Sequence, residues 1–172
     1  MKKITIKDMV IIAVCTAILF VQEELLSFLP NIQFTVFLIV LYSKKLGFIK
    51  TSFIVIIHTI LDNLFMGSFN IIYFPFMLLG WLLIPISLSS LFKKVESSFI
   101  LALLGILFSL LYSWVYIIPN SIILNINPLH YLYSDILFEI ILAASSFISI
   151  LWLYKPCSKI FDHLNSKNNN LE

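Results

Sequence analysis

The stretch that decides the fold is residues 8–33, which read DMVIIAVCTAILFVQEELLSFLPNIQ. Its first half has the apolar pattern of a helix, with small residues at Ala13 and Ala17, four positions apart on one face. Its second half turns polar at residues 22–24 and breaks at Pro30. The pattern predicts a membrane helix. Its apolar half suits close contact with another helix, and its acidic end suits a ligand or a gate.

The composition places the chain in a membrane. Hydrophobic residues make up 60% of the 172 residues, charged residues make up only 12%, and the mean hydropathy is +1.03. Water-soluble folds need a more highly charged exterior, so the composition excludes an ordinary soluble domain. Because no small-x-small cleavage site follows Lys2 and Lys3, we expect a membrane helix at the start and no cleaved signal. Cys15 and Cys157 lack metal-ligand spacing, and we predict neither a metal nor a cofactor.

Six apolar stretches are predicted to be membrane helices, since a span needs about 20 residues. The second stretch is short, so it must tilt or lie partly re-entrant against its neighbours. We expect one all-α membrane domain at residues 1–164 and a polar, disordered tail at residues 165–172. The six predicted helices cover residues 8–27, 33–46, 48–66, 70–92, 97–118 and 131–155.

The lysines predict the orientation of these helices. All 11 basic residues are lysines. They lie before helix 1, between helices 2 and 3, between helices 4 and 5, and after helix 6. The other three connections, near residues 27–32, 67–69 and 119–130, contain none. Because positive residues mark the cytoplasmic side, the pattern predicts six transmembrane helices with both termini in the cytoplasm.

Polar residues gather in the predicted outer half of the bundle. Ionisable groups in a bilayer cost several kcal/mol unless they are paired or hydrated, so they mark functional interiors. Glu139 is the deepest, four residues further in than Asp135 on the same face. We predict a cavity that opens outward and is lined by Glu23, Asn31, Asp62, Asn63, Tyr73, Trp114, Asp135 and Glu139.

Simpler interpretations of these residues stay open. Glu23 and Glu24 would also fit a solvated helix end, and His58 with Asp62 would fit a structural pair one helical turn apart. Tyrosine and tryptophan near helix ends are typical of an interfacial belt. From spacing alone, packing within the bundle is the better explanation of the small residues of helices 1 and 6. These small residues are Ala13, Ala17, Ala143, Ala144, Ser145, Ser146 and Ser149.

Two short motifs and the topology carry a resemblance to a known family. The motifs are AVCTA at residues 13–17 and LPNIQ at residues 29–33, which leads to Leu41-Tyr42. With six helices and cytoplasmic termini, the chain resembles a substrate-binding S component of an energy-coupling factor (ECF) vitamin transporter. Such subunits lie in the bacterial plasma membrane and capture a vitamin from outside.

The resemblance implies partners and a mechanism. Ala13 and Ala17 would dock on a membrane coupling subunit that is driven by two cytoplasmic ATPases. The subunit would tip over in the bilayer to release its ligand, and residues 27–33 would help to cover that ligand. The chain has no glycine-rich phosphate loop, so we expect no enzyme activity of its own. The LPN region is similar to S components associated with cobalamin, whereas five outer carboxylates would equally suit a cationic or donor-rich ligand.

Two alternatives belong to other classes. The Glu23-Glu24 pair resembles the pair of a CAAX-type intramembrane protease, in which a glutamate activates water for attack on a peptide. That pattern continues with an arginine four residues later, where this chain has Phe28, and His58, His130 and His163 do not share a depth. A self-sufficient scaffold or small permease is the third possibility.

Overall fold

The computed structural model describes residues 4–65 and 69–169, with the side chains described as far as residue 164. Within those ranges the secondary structure is helical and contains no strand. The predicted ends of helix 3 at Met66 and of the tail at residues 170–172 lie outside the described residues. The helices are α1 Ile6–Leu26, α2 Thr35–Lys45, α3 Phe48–Phe65, α4 Phe74–Ser89, α5 Ser98–Val115, α6 Ile117–Ile123 and α7 Pro128–Asn169.

The helices confirm an all-α bundle of the membrane type. Four segments are long and apolar enough to cross a membrane, and α4 is a shorter apolar helix. The central helix α2 has only 11 residues. Its axial rise is therefore about 16 Å, roughly half of the ~30 Å hydrocarbon layer. The number of complete spans stays a prediction. The four long segments are Ile6–Leu26, Phe48–Phe65, Ser98–Ile123 and Pro128–Leu164.

Local chemistry fixes several helix ends. The Thr5 hydroxyl accepts a bond from the Asp8 N–H at 3.2 Å, and the Asp8 carboxylate accepts one from the Thr5 N–H at 3.0 Å. This capping box starts α1. Gly47 follows α2 with φ +81°, a left-handed conformation that favours glycine. Helix α4 begins four residues later than predicted, because Pro75 suits a first turn, where its missing N–H costs nothing.

The chain between α5 and α7 differs from the prediction. Residues 119–130 were expected to form a loop, but α6 covers Ile117–Ile123. Pro119 lies in the first turn of α6, where a helix does not require its N–H. Helix α7 begins at Pro128 and its backbone stays helical to Asn169, which includes the first five residues of the expected tail.

Five helices surround the short helix α2. Their order around it is α1, α3, α4, α5 and α7, and α2 packs against each of them. Eight of its 11 residues are buried, so it forms the core of the bundle. The segment of residues 27–34 links α1 to α7. Asn31 donates to the carbonyl oxygen of Phe138 at 3.0 Å, and the Ser145 hydroxyl donates to the carbonyl oxygen of Gln33 at 3.0 Å.

Small residues bring α5 and α7 into close contact. The Ser109 hydroxyl lies 2.7 Å from the Ser146 hydroxyl. A Cβ added at Gly105 would lie 2.5 Å from Cδ1 of Ile150, so no larger residue fits there without movement. For Ser146 the interpretation as packing within the bundle is confirmed. The alanines of α1 behave differently, because Ala13 and Ala17 are both exposed on the bundle surface.

The described lysines meet at one end of the bundle. Lys50 pairs with Asp8, and Lys45 Nζ lies 2.7 Å from the carboxylate of Asp162. Lys44 donates to the carbonyl oxygen of Phe92 at 2.8 Å. These contacts join α1 to α3, α2 to α7, and α2 to the α4–α5 connection. We call this end the lysine end, and the opposite end, where Glu23, Asp62 and Asp135 lie, the acid end. Lys2, Lys3 and the side chain of Lys167 lie outside the described residues.

Candidate functional site

A buried glutamate–histidine contact lies at the acid end. Oε2 of Glu23, in the last turns of α1, is 3.0 Å from Nε2 of His58 on α3. His58 is fully buried, and the Glu23 side chain is 19% exposed. The Thr35 hydroxyl lies 3.0 Å from Oε2 of Glu23 and 2.9 Å from Oε1 of Gln33. Because it has a single hydrogen, it donates to one of these oxygens at a time. The Gln22 amide nitrogen donates to Thr35 Oγ1 at 2.9 Å. The Glu23 carboxylate of α1 is thus in contact with side chains of α2 and α3.

Some polar atoms of this cluster lack a hydrogen bond within the described part of the chain. They include Nδ1 and Nε2 of His58, because the short contact to Glu23 lacks hydrogen-bond geometry, and Oδ1 of Asp62. Asp62 lies one turn from His58 and within electrostatic range of it and of Glu23. His58 thus makes its short contact with Glu23 of α1 rather than with Asp62 of its own helix. Buried polar atoms without partners are rare in proteins, and here they leave bonding capacity for another molecule.

A second pair of carboxylates lies between α5 and α7. The Ser113 hydroxyl is 2.9 Å from Oδ2 of Asp135 and 3.1 Å from Oε1 of Glu139. Glu139 is buried, as its predicted depth requires. Since the hydroxyl has one hydrogen, it donates to one carboxylate at a time. One hydroxyl of α5 therefore contacts both carboxylates of α7.

Aromatic rings lie close to the acids Glu23 and Asp62. Tyr112 stacks on Trp81 with ring centroids 3.8 Å apart. Its hydroxyl lies 3.1 Å from that of Tyr116. Both tyrosines lie within electrostatic range of Glu23 and Asp62. The rings and the acids therefore share one polar interior.

Tyr73 links the start of α4 to neighbouring segments at the acid end. Its ring stacks on Tyr116 with centroids 6.2 Å apart, and its hydroxyl donates to Oδ1 of Asn120 at 2.8 Å. Tyr131 lies within electrostatic range of Asp135, Glu139 and Tyr73. Helices α4, α6 and α7 are connected in this way across the acid end.

The structure gathers most of the predicted binding residues. Glu23, Asp62, Asn63, Tyr73, Asp135 and Glu139 belong to this interior, and Asn63 donates to the Met77 sulfur at 3.0 Å. Asn31 lies in the segment after α1, where its amide donates to the carbonyl oxygen of Phe138, the residue before Glu139. Trp114 is 43% exposed on the bundle surface, a position that also fits an interfacial residue.

Three cavities occur elsewhere, and none is lined by a predicted binding residue. One of about 570 Å³ is an apolar groove along α7, bounded by Ile32 and Phe34. One of about 400 Å³ lies among the lysines at the lysine end. The third is a shallow depression near His130 and Tyr133. The predicted cavity that opens outward between the acids therefore stays a prediction.

Sequence reasoning missed several residues that organise the site. Gln22, Thr35, Ser113 and Tyr112 make the contacts described above. A polar residue at the first position of an apolar helix, such as Thr35, gives no indication of its partner. Ser113 lies four residues after Ser109, which shows only that both lie on one helix face.

The fold and this interior define a class of protein, a helical membrane protein with a buried cluster of ionisable groups. Among the described residues, no group of three or more His, Cys, Asp or Glu is arranged to hold a metal ion. No protein-family model matches the chain, and no curated protein and no solved structure is significantly similar to it.

Proposed function

We propose that the chain is the substrate-capture subunit of an ECF-type transporter for a vitamin or another micronutrient. Its six membrane segments would be α1, α2, α3, α4, the α5–α6 pair and α7, with both termini and the lysine end in the bacterial cytoplasm. The observation that carries the proposal is the gathering of Glu23, Asp62, Asp135 and Glu139 inside the bundle, at the end opposite the lysines. Acids that are costly in a bilayer are retained where they bind something.

The chemistry of the interior favours a ligand rich in hydrogen-bond donors or in positive charge. The carboxylates accept hydrogen bonds, and the rings of Tyr73 and Tyr112 offer surfaces for stacking. Cobalamin enters only through the resemblance of the LPN segment. The rings of Trp81, Tyr112 and Tyr116 are in contact with one another beside the acids, so ligand entry would move them. Residues 27–33 would move with them, which breaks the bond from Asn31 to Phe138.

Docking on a membrane coupling subunit is supported by the surface of α1. Ala13 and Ala17 are exposed on the surface of the bundle that the described residues form. Small residues on an uncovered helix face permit close approach of a second helix. In the proposed transporter, two cytoplasmic ATPases act through that partner, and this subunit is not itself an enzyme.

The docking surface is tested with Ala13→Trp combined with Ala17→Trp. Two indoles on one face would keep a partner helix at a distance, so we expect co-purification with the coupling subunit and ATPases to be lost, together with uptake. Ala144→Trp is the matched control, because Ala144 is also exposed but lies on α7. An intact complex in the double variant would show that the docking assignment is wrong.

The binding site is tested by identifying the ligand and then removing one acid. Mass spectrometry of small molecules that remain bound through purification identifies the ligand. Glu139→Ala should then weaken its binding at least tenfold in a calorimetric titration, since hydrogen bonds to charged groups contribute roughly 1.5–3 kcal/mol. Glu96→Ala, at an exposed glutamate of the lysine end, is the control. Unchanged affinity in Glu139→Ala removes that residue from the site.

The contact between Glu23 and His58 favours a second candidate, the CAAX-type protease. A glutamate beside an imidazole can hold a water and accept its proton during attack on a peptide bond. This candidate predicts cleavage of a prenylated peptide that is lost in Glu23→Gln. If the purified protein cleaves no such peptide, the candidate fails, and the transporter proposal is unaffected.

A further inference from the structure

A cavity with excess positive charge lies at the lysine end. About 400 Å³ in volume, it is lined by five lysines and two acids, Glu96 and Asp162. The formal charge of this lining is +5 − 2 = +3. Asp162 is already paired with Lys45 at 2.7 Å, so four lysines face one remaining carboxylate. The five lysines are Lys44, Lys45, Lys93, Lys155 and Lys159.

The fold holds these charges in place without neutralising them. Lys44 donates to the carbonyl oxygens of Phe92 and Lys93, which carry no net charge. Lys155 and Lys159 lie one turn apart on α7, and both are exposed. Among the described residues, the lysines in ion pairs are Lys45 and Lys50. The cavity therefore attracts an anion with several oxygen atoms.

The apolar groove of about 570 Å³ lies next to this cavity along α7. Its wall on α7 runs from Ile140 to Leu153 and is mostly apolar, with two serines, and Phe34 lies on its other side. Over those residues α7 rises about 20 Å, somewhat more than one leaflet of a ~30 Å hydrocarbon layer.

The groove and the cavity lie along the same face of α7. Residues 148, 152, 155 and 159 follow the spacing of one helix face, so the stripe that lines the groove leads directly to Lys155 and Lys159. A molecule that fits both has an anionic head and an apolar tail of roughly leaflet length.

We propose that this surface binds one anionic phospholipid. Its phosphate lies among Lys93, Lys155 and Lys159, and one acyl chain lies in the groove against Ala144 and Trp152. The charge of +3 favours an anionic over a zwitterionic headgroup, and basic pockets between membrane helices are known to suit such headgroups. The continuing apolar groove favours a lipid over free phosphate. This site is separate from the proposed ligand site at the acid end.

The headgroup is tested by native mass spectrometry of the full chain and by thermal unfolding in detergent. We compare added phosphatidylglycerol, phosphatidylcholine and inorganic phosphate, and expect phosphatidylglycerol alone to be retained and to stabilise the protein. Lys155→Gln with Lys159→Gln should weaken its binding at least tenfold, since each lysine near an anionic lipid surface contributes about 1 kcal/mol. Lys7→Gln with Lys94→Gln removes the same charge from exposed lysines outside the cavity, and should bind normally.

The acyl chain is tested by filling or widening the groove. Ala144→Trp should reduce retention of phosphatidylglycerol, whereas Ala17→Trp, on α1, should not. Trp152→Ala provides a second variant, because Trp152 is 73% exposed and its removal does not disturb the core. Four results would each overturn the proposal: equal binding of phosphatidylcholine, equal stabilisation by inorganic phosphate, normal binding in the cavity variant, or normal binding in both groove variants.

Discussion

The Thr35 hydroxyl is the point at which α1, α2 and the segment between them meet, and its removal should destabilise the fold measurably. Thr35 is fully buried. Its oxygen accepts from Gln22 at 2.9 Å, and its hydrogen is donated to Glu23 at 3.0 Å or to Gln33 at 2.9 Å. Thr35→Val keeps nearly the same shape and deletes only the hydroxyl.

The expected loss follows from the number of bonds. The variant loses one accepted and one donated hydrogen bond at once. A buried hydrogen bond contributes about 0.5–1.5 kcal/mol, so two lower the free energy of unfolding by about 1–3 kcal/mol. Interhelical bonds in membrane proteins average nearer 0.6 kcal/mol, which places the result toward the lower end of that range.

Thr59→Val is the matched control. Thr59 is also fully buried, but its hydroxyl donates only to the carbonyl oxygen of Val55 in its own helix, at 2.9 Å. We expect a loss of less than about 0.5 kcal/mol, because such back-bonding to a helical carbonyl adds little stability. The measurement is reversible unfolding in mixed micelles, followed by circular dichroism. If both variants lose the same free energy, Thr35 does not join the three elements as described.

Two further predictions concern the scaffold and use the same unfolding measurement. Gly80→Ala should cost about 1–3 kcal/mol, because the new Cβ would lie 2.7 Å from the rigid ring of Tyr112. Gly105→Ala should cost less, since the obstructing atom is the terminal methyl of Ile150, and equal losses would contradict this difference. Thr5→Ala should cost about 1 kcal/mol by removing the N-cap of α1; an unchanged unfolding midpoint would show that the cap contributes nothing.

The all-α membrane bundle could be predicted because long apolar stretches form helices in a bilayer, where the backbone must satisfy its own hydrogen bonds. Lys44, Lys45 and Lys50, which the lysine pattern assigned to one side, lie together with Asp162 and Phe92 at one end. The six spans and the cytoplasmic termini stay predictions. The helix at Ile117–Ile123 was missed because its two polar residues and Pro119 resemble a loop. Proline in a first turn is compatible with a helix, and only the neighbouring helices decide between the two.

The site was harder to predict because sequence gives the depth of a residue but not the direction of its side chain. Glu139 was expected deep in the bundle, and it is buried there against Ser113. His58 was paired in sequence with Asp62, one turn away, whereas its short contact crosses to Glu23. The rotation of α1 about its axis decides that contact, and no periodicity within one helix specifies the rotation of another.

The central position of α2 has a consequence for the synthesis of the protein in the cell. A segment of 11 residues is too short to be held in a bilayer by its own hydrophobicity. Four of the five helices that enclose it, α3, α4, α5 and α7, are translated after it. During translation the set of helices that encloses α2 is therefore incomplete until α7 has emerged from the ribosome. Chains truncated before Pro128 should leave it unprotected and be degraded rapidly by membrane quality control.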